Sequence, residues 1–231
     1  MKNVKKVYVA LTGLLCLALA FQVSAAHAAA ILTLHDVATN STVSIQDNSA
    51  GDSDPTSGII SVNDTLGVWQ LNFVVGSTKP FLGSATDPSM GLFAVDGSVP
   101  QFRSITGGGE LDITLTDTGF GPFSGNLESV ANGSSTFGGS VALSSIADTA
   151  HIGDFSFGSG NFSGTADQYI SSLSSLKIAA RIVHRFAGIT LLDFHVNPDP
   201  APTSVPEPGT FMLLGSGLVG IALYRHRQKQ P

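Results

Sequence analysis

Residues 31–197 of this 231-residue chain predict an all-β fold, an antiparallel β-sandwich of about ten short strands. Three observations predict it. Apolar and polar residues alternate with period two in segment after segment, which gives a strand one dry face and one wet face. Gly, Ser, Asn and Asp cluster between those segments, and these residues stabilise tight turns. No stretch longer than about ten residues between the two ends shows the 3.6-residue periodicity of a helix. A β-helix is the alternative, but no fixed-length repeat supports it.

In chain order, the first element is a targeting segment. Lys2, Lys5 and Lys6 precede an almost unbroken apolar stretch from Val7 to Phe21, and the small residues "VSAAHAAA" follow. Positive charge, then grease, then small residues is the order of a secretory signal peptide over 1–28. Cleavage after Ala28 satisfies the A-x-A spacing through Ala26, and cleavage after Ala25 is the alternative. Signal peptidase and the Sec machinery are the partners such a leader implies. Cys16 is the sole cysteine and lies inside the leader, preceded by Leu15 rather than by the small residue a lipid-anchoring site needs. The mature chain therefore has no disulfide, thiolate or cysteine nucleophile.

The exported domain, 29–197, begins with "ILTLHDV" and "TVSIQD", followed by "GIISVND" and "GVWQLNFVV". Trp69, with Leu71 and Phe73 at alternate positions, is expected to anchor the core. "ELDITLTDT" sets Leu111, Ile113 and Leu115 on one face against Glu110, Asp112, Thr114 and Thr116 on the other. "KIAARIVHRF" and "ITLLDFHV" read as a late pair joined near Ala187 and Gly188, and "QYISSLSSLK" as a short helix or a turn. From Ile31 to Asp199 sixteen acidic residues face five basic ones, a net of 5 − 16 = −11. An acidic surface excludes nucleic acid and anionic phosphate surfaces as partners and favours solubility outside the cell.

Candidate chemistry in this domain is sparse. The acidic loop "DNSAGDSDPTSG" offers Asp47, Asp52 and Asp54 as weak calcium ligands, without the closing bidentate Glu of an EF-hand. His35, His151, His184 and His195, with Asp36 and Asp193, are the residue types of a catalytic triad, but no G-x-S-x-G accompanies them. They read as core-edge or surface residues. No histidine spacing of a zinc site occurs. Phe120, Phe123, Phe155 and Phe157 are the aromatics that would line a sugar-binding groove if they are exposed.

The C-terminal end is more specific. Five prolines between Asn197 and Pro208 make 198–208 an extended, semi-rigid linker. Gly209 to Tyr224 is sixteen residues without a charge. As a helix rising about 1.5 Å per residue it spans roughly 24 Å, short for a membrane span but extended by snorkelling ends. Arg225, Arg227 and Lys229 in the tail 225–231 act as a stop-transfer cluster and hold it in the cytoplasm. Both ends thus agree on a domain across the membrane. Gly215-Ser216-Gly217-Leu218-Val219-Gly220 spells a dinucleotide fingerprint, but it lies inside this apolar segment and lacks the βαβ context that motif needs.

Val205-Pro206-Glu207-Pro208, one apolar helix and a terminal arginine cluster together resemble the PEP-CTERM sorting signal, also labelled an ice-binding protein C-terminal domain. The resemblance covers the last 25 or so residues. It implies a Gram-negative exported protein processed by an exosortase, anchored transiently in the inner membrane and then placed at the cell surface or outside it, commonly among exopolysaccharide and biofilm. Pro206, Glu207 and Pro208 carry over as the recognition motif. The expected function is a non-enzymatic surface or matrix protein without a cofactor. An exported carbohydrate-binding module is the alternative, and a secreted hydrolase a more distant one.

Overall fold

The computed structural model describes residues 30–98 and 109–199. The leader with Ala26 and Ala28, the linker from residue 200, Val205 to Pro208, the apolar segment and the basic cluster lie outside the described residues.

Alternation builds the strands as the sequence leads one to expect. They are β1 (Ile31–Asp36), β2 (Ser41–Gln46), β3 (Ile59–Leu66), β4 (Trp69–Ser77), β5 (Met90–Ser98), β6 (Gly109–Thr118), β7 (Gly125–Ser135), β8 (Gly139–Ala147), β9 (Ala150–Phe157), β10 (Gly160–Ile170), β11 (Ser175–His184) and β12 (Gly188–Pro198). One sheet has the order β2-β1-β6-β11-β8-β9 and the other β10-β7-β12-β5-β4-β3. Every neighbouring pair is antiparallel, so this is a sandwich and not a parallel β-helix. The core lies between the sheets. Leu32, Leu34, Leu111, Ile113, Leu115, Ile178 and Ile182 from the first meet Ile60, Leu71, Val74, Leu92, Leu192 and Phe194 from the second. The sheets approach so closely that a Cβ on Gly76 would lie 2.7 Å from the Leu115 side chain.

Trp69 anchors this core, 1% exposed, but Phe73 does not join it and is 45% exposed. The register of β4 against β5 shifts between Leu71 and Phe73. A bulge of this kind inserts one residue and moves the next side chain to the other face, so Val74 fills the inner position instead. The late pair also differs from expectation. β11 belongs to the first sheet and β12 to the second, so the chain crosses between sheets at Arg185–Ala187 instead of forming a hairpin. "QYISSLSSLK" is the end of β10, a turn and the start of β11.

Turns are fixed by named side chains. Buried Asp36 accepts the amides of Ala38 and Val68 and the Thr39 hydroxyl, tying the β1–β2 turn to the β3–β4 turn. Gly67 sits there at φ 57°, and any Cβ would land 1.8 Å from an Asp36 carboxylate oxygen. Only glycine satisfies both conditions.

Candidate functional site

The outer face of the first sheet carries a shallow cleft of about 370 Å³. Strand register sets its shape. Arg181 on β11 stands beside Asp112 on β6 and Ala142 on β8. One pair further along, Ala179 stands beside Thr114 and Ser144, and Ser144 faces Asp154 on β9. The floor is therefore Ala142 and Ala179, which have nothing beyond Cβ, while Asp112, Arg181 and Asp154 rise around it. Neighbouring strands lie about 4.8 Å apart, so the three intervals from β6 to β9 make the depression roughly 14 Å wide. Glu110 Oε1 accepts from Arg181 Nη2 at 2.6 Å, and its hydrogen bond and charge raise the guanidinium pKa, with Asp112 adding to the field. Asp154 pairs with His151 Nδ1 at 2.9 Å.

A second polar group is buried at one end of the core. Ser98 Oγ lies 2.8 Å from His184 Nδ1, and His184 Nε2 lies 2.8 Å from Thr190 Oγ1, which in turn contacts Ser135 Oγ at 3.1 Å. Ser98 Oγ also accepts the Gly188 amide and contacts the Phe186 carbonyl, so the chain of contacts fastens the β11–β12 crossover. His184 is 3% exposed and packs on Trp69 at 5.0 Å between ring centroids. Burial lowers its pKa and favours the neutral ring. Across the strand pair from Thr190, Asp96 is fully buried, and among the described residues neither of its oxygens has a hydrogen-bond partner. Burial pushes its pKa up to about 7, against a smaller opposing effect of the Thr190 backbone, the residue across the strand pair.

The candidate histidines are not brought together. His35 bonds Thr42, His151 pairs with Asp154, and His195 stands 3.7 Å from Asp193 on the far sheet. Asp36 serves its turn, and His184 faces hydroxyls. Among the described residues no three His, Cys, Asp or Glu side chains form a metal-binding group. In the acidic loop, Asp47 accepts the Gly58 amide, Asp52 those of Asn48, Asp54 and Ser61, and Asp54 that of Thr56. The hydroxyl and amide of Thr56 hold the half-buried Asp54 carboxyl below its usual pKa.

Of the four groove aromatics, Phe155 lines the cleft beside Asp154, while Phe120, Phe123 and Phe157 are not among its lining residues. Phe120 is 6% exposed because Lys79 Nζ sits 3.7 Å above its ring, over a buried pair with Asp117. Phe123, Phe155 and Phe157 pack against the core. Phe155, Phe157 and Phe162 stack at 6.0 and 4.6 Å and close the side of the sandwich between edge strands β9 and β10. Glycines make room for them: a Cβ at Gly164 would lie 2.8 Å from Phe155, and one at Gly133 2.5 Å from Phe162. The cleft and Asp96 were the features that sequence reasoning missed. An acid at the inner position after Leu92 and Ala94 was the available signal for Asp96.

The described domain is followed by the tail, and comparison with known proteins decides what that tail is. Residues 204–228 carry the PEP-CTERM protein-sorting motif. The motif implies an exported protein sorted at the membrane by an exosortase in a Gram-negative bacterium. No curated protein matches the chain in sequence. Solved structures similar to it include TmCBM61 in complex with β-1,4-galactotriose, at 10% identity over 66% of this chain and 94% of that one, with a TM-score of 0.31. The enzymatically active domain of tailspike protein 4 from bacteriophage CBA120 is similar at 11% identity over 63% of this chain, with a TM-score of 0.29. This chain spans 20% of that tailspike chain. Neither likeness bears on ligand or activity.

Proposed function

We propose that this PEP-CTERM chain is a non-enzymatic surface protein, a component of the extracellular polysaccharide matrix, anchored transiently in the inner membrane and then cut from its tail. The observation that carries the reading is the sorting motif at 204–228, set just beyond a sandwich whose last strand ends at Pro198. A folded domain followed by a proline-rich stretch presents the tail to a membrane protease without unfolding the cargo. The inner-facing polar groups suit a structural protein. Asp36 ties turns, Asp117 is paired with Lys79, and the Ser98–His184 contact fastens a crossover. The proposal needs no cofactor. Its partners are the Sec machinery, signal peptidase, the exosortase and polysaccharide.

Membrane fractionation tests it in a host carrying an exosortase. Glu207→Ala with Pro208→Ala should leave a full-length species in the membrane fraction, while the wild type yields a shorter, released form. Release of the double variant at wild-type length contradicts the proposal.

A further inference from the structure

We propose that the cleft on the outer face of the first sheet is a binding site for a neutral polysaccharide chain. This rests on the reading above, which brings the domain to a polysaccharide-rich exterior, and it names the surface that makes contact there.

The first argument is shape. Ala142 and Ala179 lie diagonally across β8 and β11, opposite Arg181 and Ser144 respectively, and they leave the middle of the outer face low while Asp112, Arg181 and Asp154 stand around it. The volume, about 370 Å³, is within the range of ligand sites, and the open form suits a chain entering and leaving over a sheet.

The second argument is chemistry. Carboxylates at Asp112 and Asp154 accept, Arg181 donates, and the Thr114 and Ser144 hydroxyls do both. Such a mixed set matches a ligand that presents hydroxyls as both donor and acceptor at every unit. Arg181 is paired with Glu110 through one nitrogen, which leaves its other guanidinium donors for a ligand. Elsewhere the aspartates of Asp36, Asp47, Asp52 and Asp117 are engaged by turns and ion pairs. The Asp112, Thr114 and Ser144 side chains have no hydrogen-bond partner among the described residues.

The third argument is charge. Glu110, Asp112 and Asp154 outnumber Arg181, and Arg181 is already paired. A polyanion would be repelled, so the ligand is not an anionic polymer.

Retention of the protein recovered from the cell exterior is measured on insoluble neutral β-glucan, galactan and mannan, with alginate as the anionic counterpart. Wild type should be retained on at least one neutral polymer and not on alginate. Ala179→Trp, which fills the floor from outside the core, should weaken retention by about tenfold with an unchanged melt. Asp112→Asn with Ser144→Ala should weaken it in the same direction, and Phe73→Ser on the opposite sheet should leave it unchanged. The proposal is overturned if no neutral polymer retains the wild type, if alginate alone does, or if Ala179→Trp binds as the wild type does. Failure of export or tail removal is read separately, from the mass of the recovered protein.

Discussion

Two aspartates, Asp117 and Asp96, are both fully buried at the inner face near a strand end, and their surroundings are opposite. Asp117 accepts the Thr78 hydroxyl at 2.5 Å, Lys79 Nζ at 2.9 Å and the Thr118 amide at 2.7 Å. Lys79 is completed by the Thr118 carbonyl at 2.6 Å and the face of Phe120. Asp96 has no hydrogen-bond partner on either oxygen among the described residues, and the Thr190 backbone across the strand pair offsets the effect of its burial only in part. The fold sets one carboxylate against a lysine and leaves the other without a cation, and burial raises the pKa of the latter to about 7. A buried acid is thus defined by what faces it, and neither is positioned as a catalytic carboxylate open to a substrate.

The comparison breaks most visibly at Lys79. Lys79→Met leaves the buried Asp117 side chain short of its cation and should destabilise the domain by about 3–5 kcal/mol, read from denaturant melts. A loss below about 1 kcal/mol would mean that Asp117 finds another donor. Next comes pH dependence at Asp96. Its folded pKa, about 7, lies above the unfolded value of 3.8, so the folded state binds the extra proton between them. Stability should therefore fall as pH rises through that window, by up to about 4 kcal/mol for this group, and change little from it above pH 7. Asp96→Asn should flatten this slope and be more stable than wild type at pH 8; parallel curves would show that Asp96 is not held neutral. Thr78→Val removes one donor from Asp117 while Lys79 stays, and the expected loss is about 1–3 kcal/mol in the same melts. The smallest effect belongs to Asp112 in the outer cleft, where Asp112→Asn should leave stability within about 0.5 kcal/mol.

Much of the sandwich was legible because period-two alternation is strong where large apolar residues occupy the inner face. β6 and β11 show it through Leu111, Ile113, Leu115, Ile178 and Ile182. Strands β7 and β8 were faint because Ser129 and Ser145 occupy inner positions and hydrogen-bond each other across the sheets, so polar residues sit where the pattern expects grease. The bulge that turns Phe73 outward leaves no mark in local composition, since Asn72 and Phe73 read as one more alternating step. Phe120 misled because an aromatic next to Gly119 and Gly121 looks like an exposed loop residue. Its partner Lys79 is far away in sequence and meets it only after β4 and β6 are placed. The candidate cleft was illegible for a related reason: its two alanines are ordinary in sequence and become a floor only when β8 and β11 lie side by side.

The central claim is that the folded sandwich is cargo and the PEP-CTERM tail an address that is removed. Intact-mass spectrometry of protein collected from the cell exterior tests it most directly. The account predicts a chain that starts after the leader, keeps the sandwich through Asp199 and lacks Arg225 to Pro231. A recovered chain that still ends at Pro231 would contradict it and leave a membrane-anchored β domain in its place.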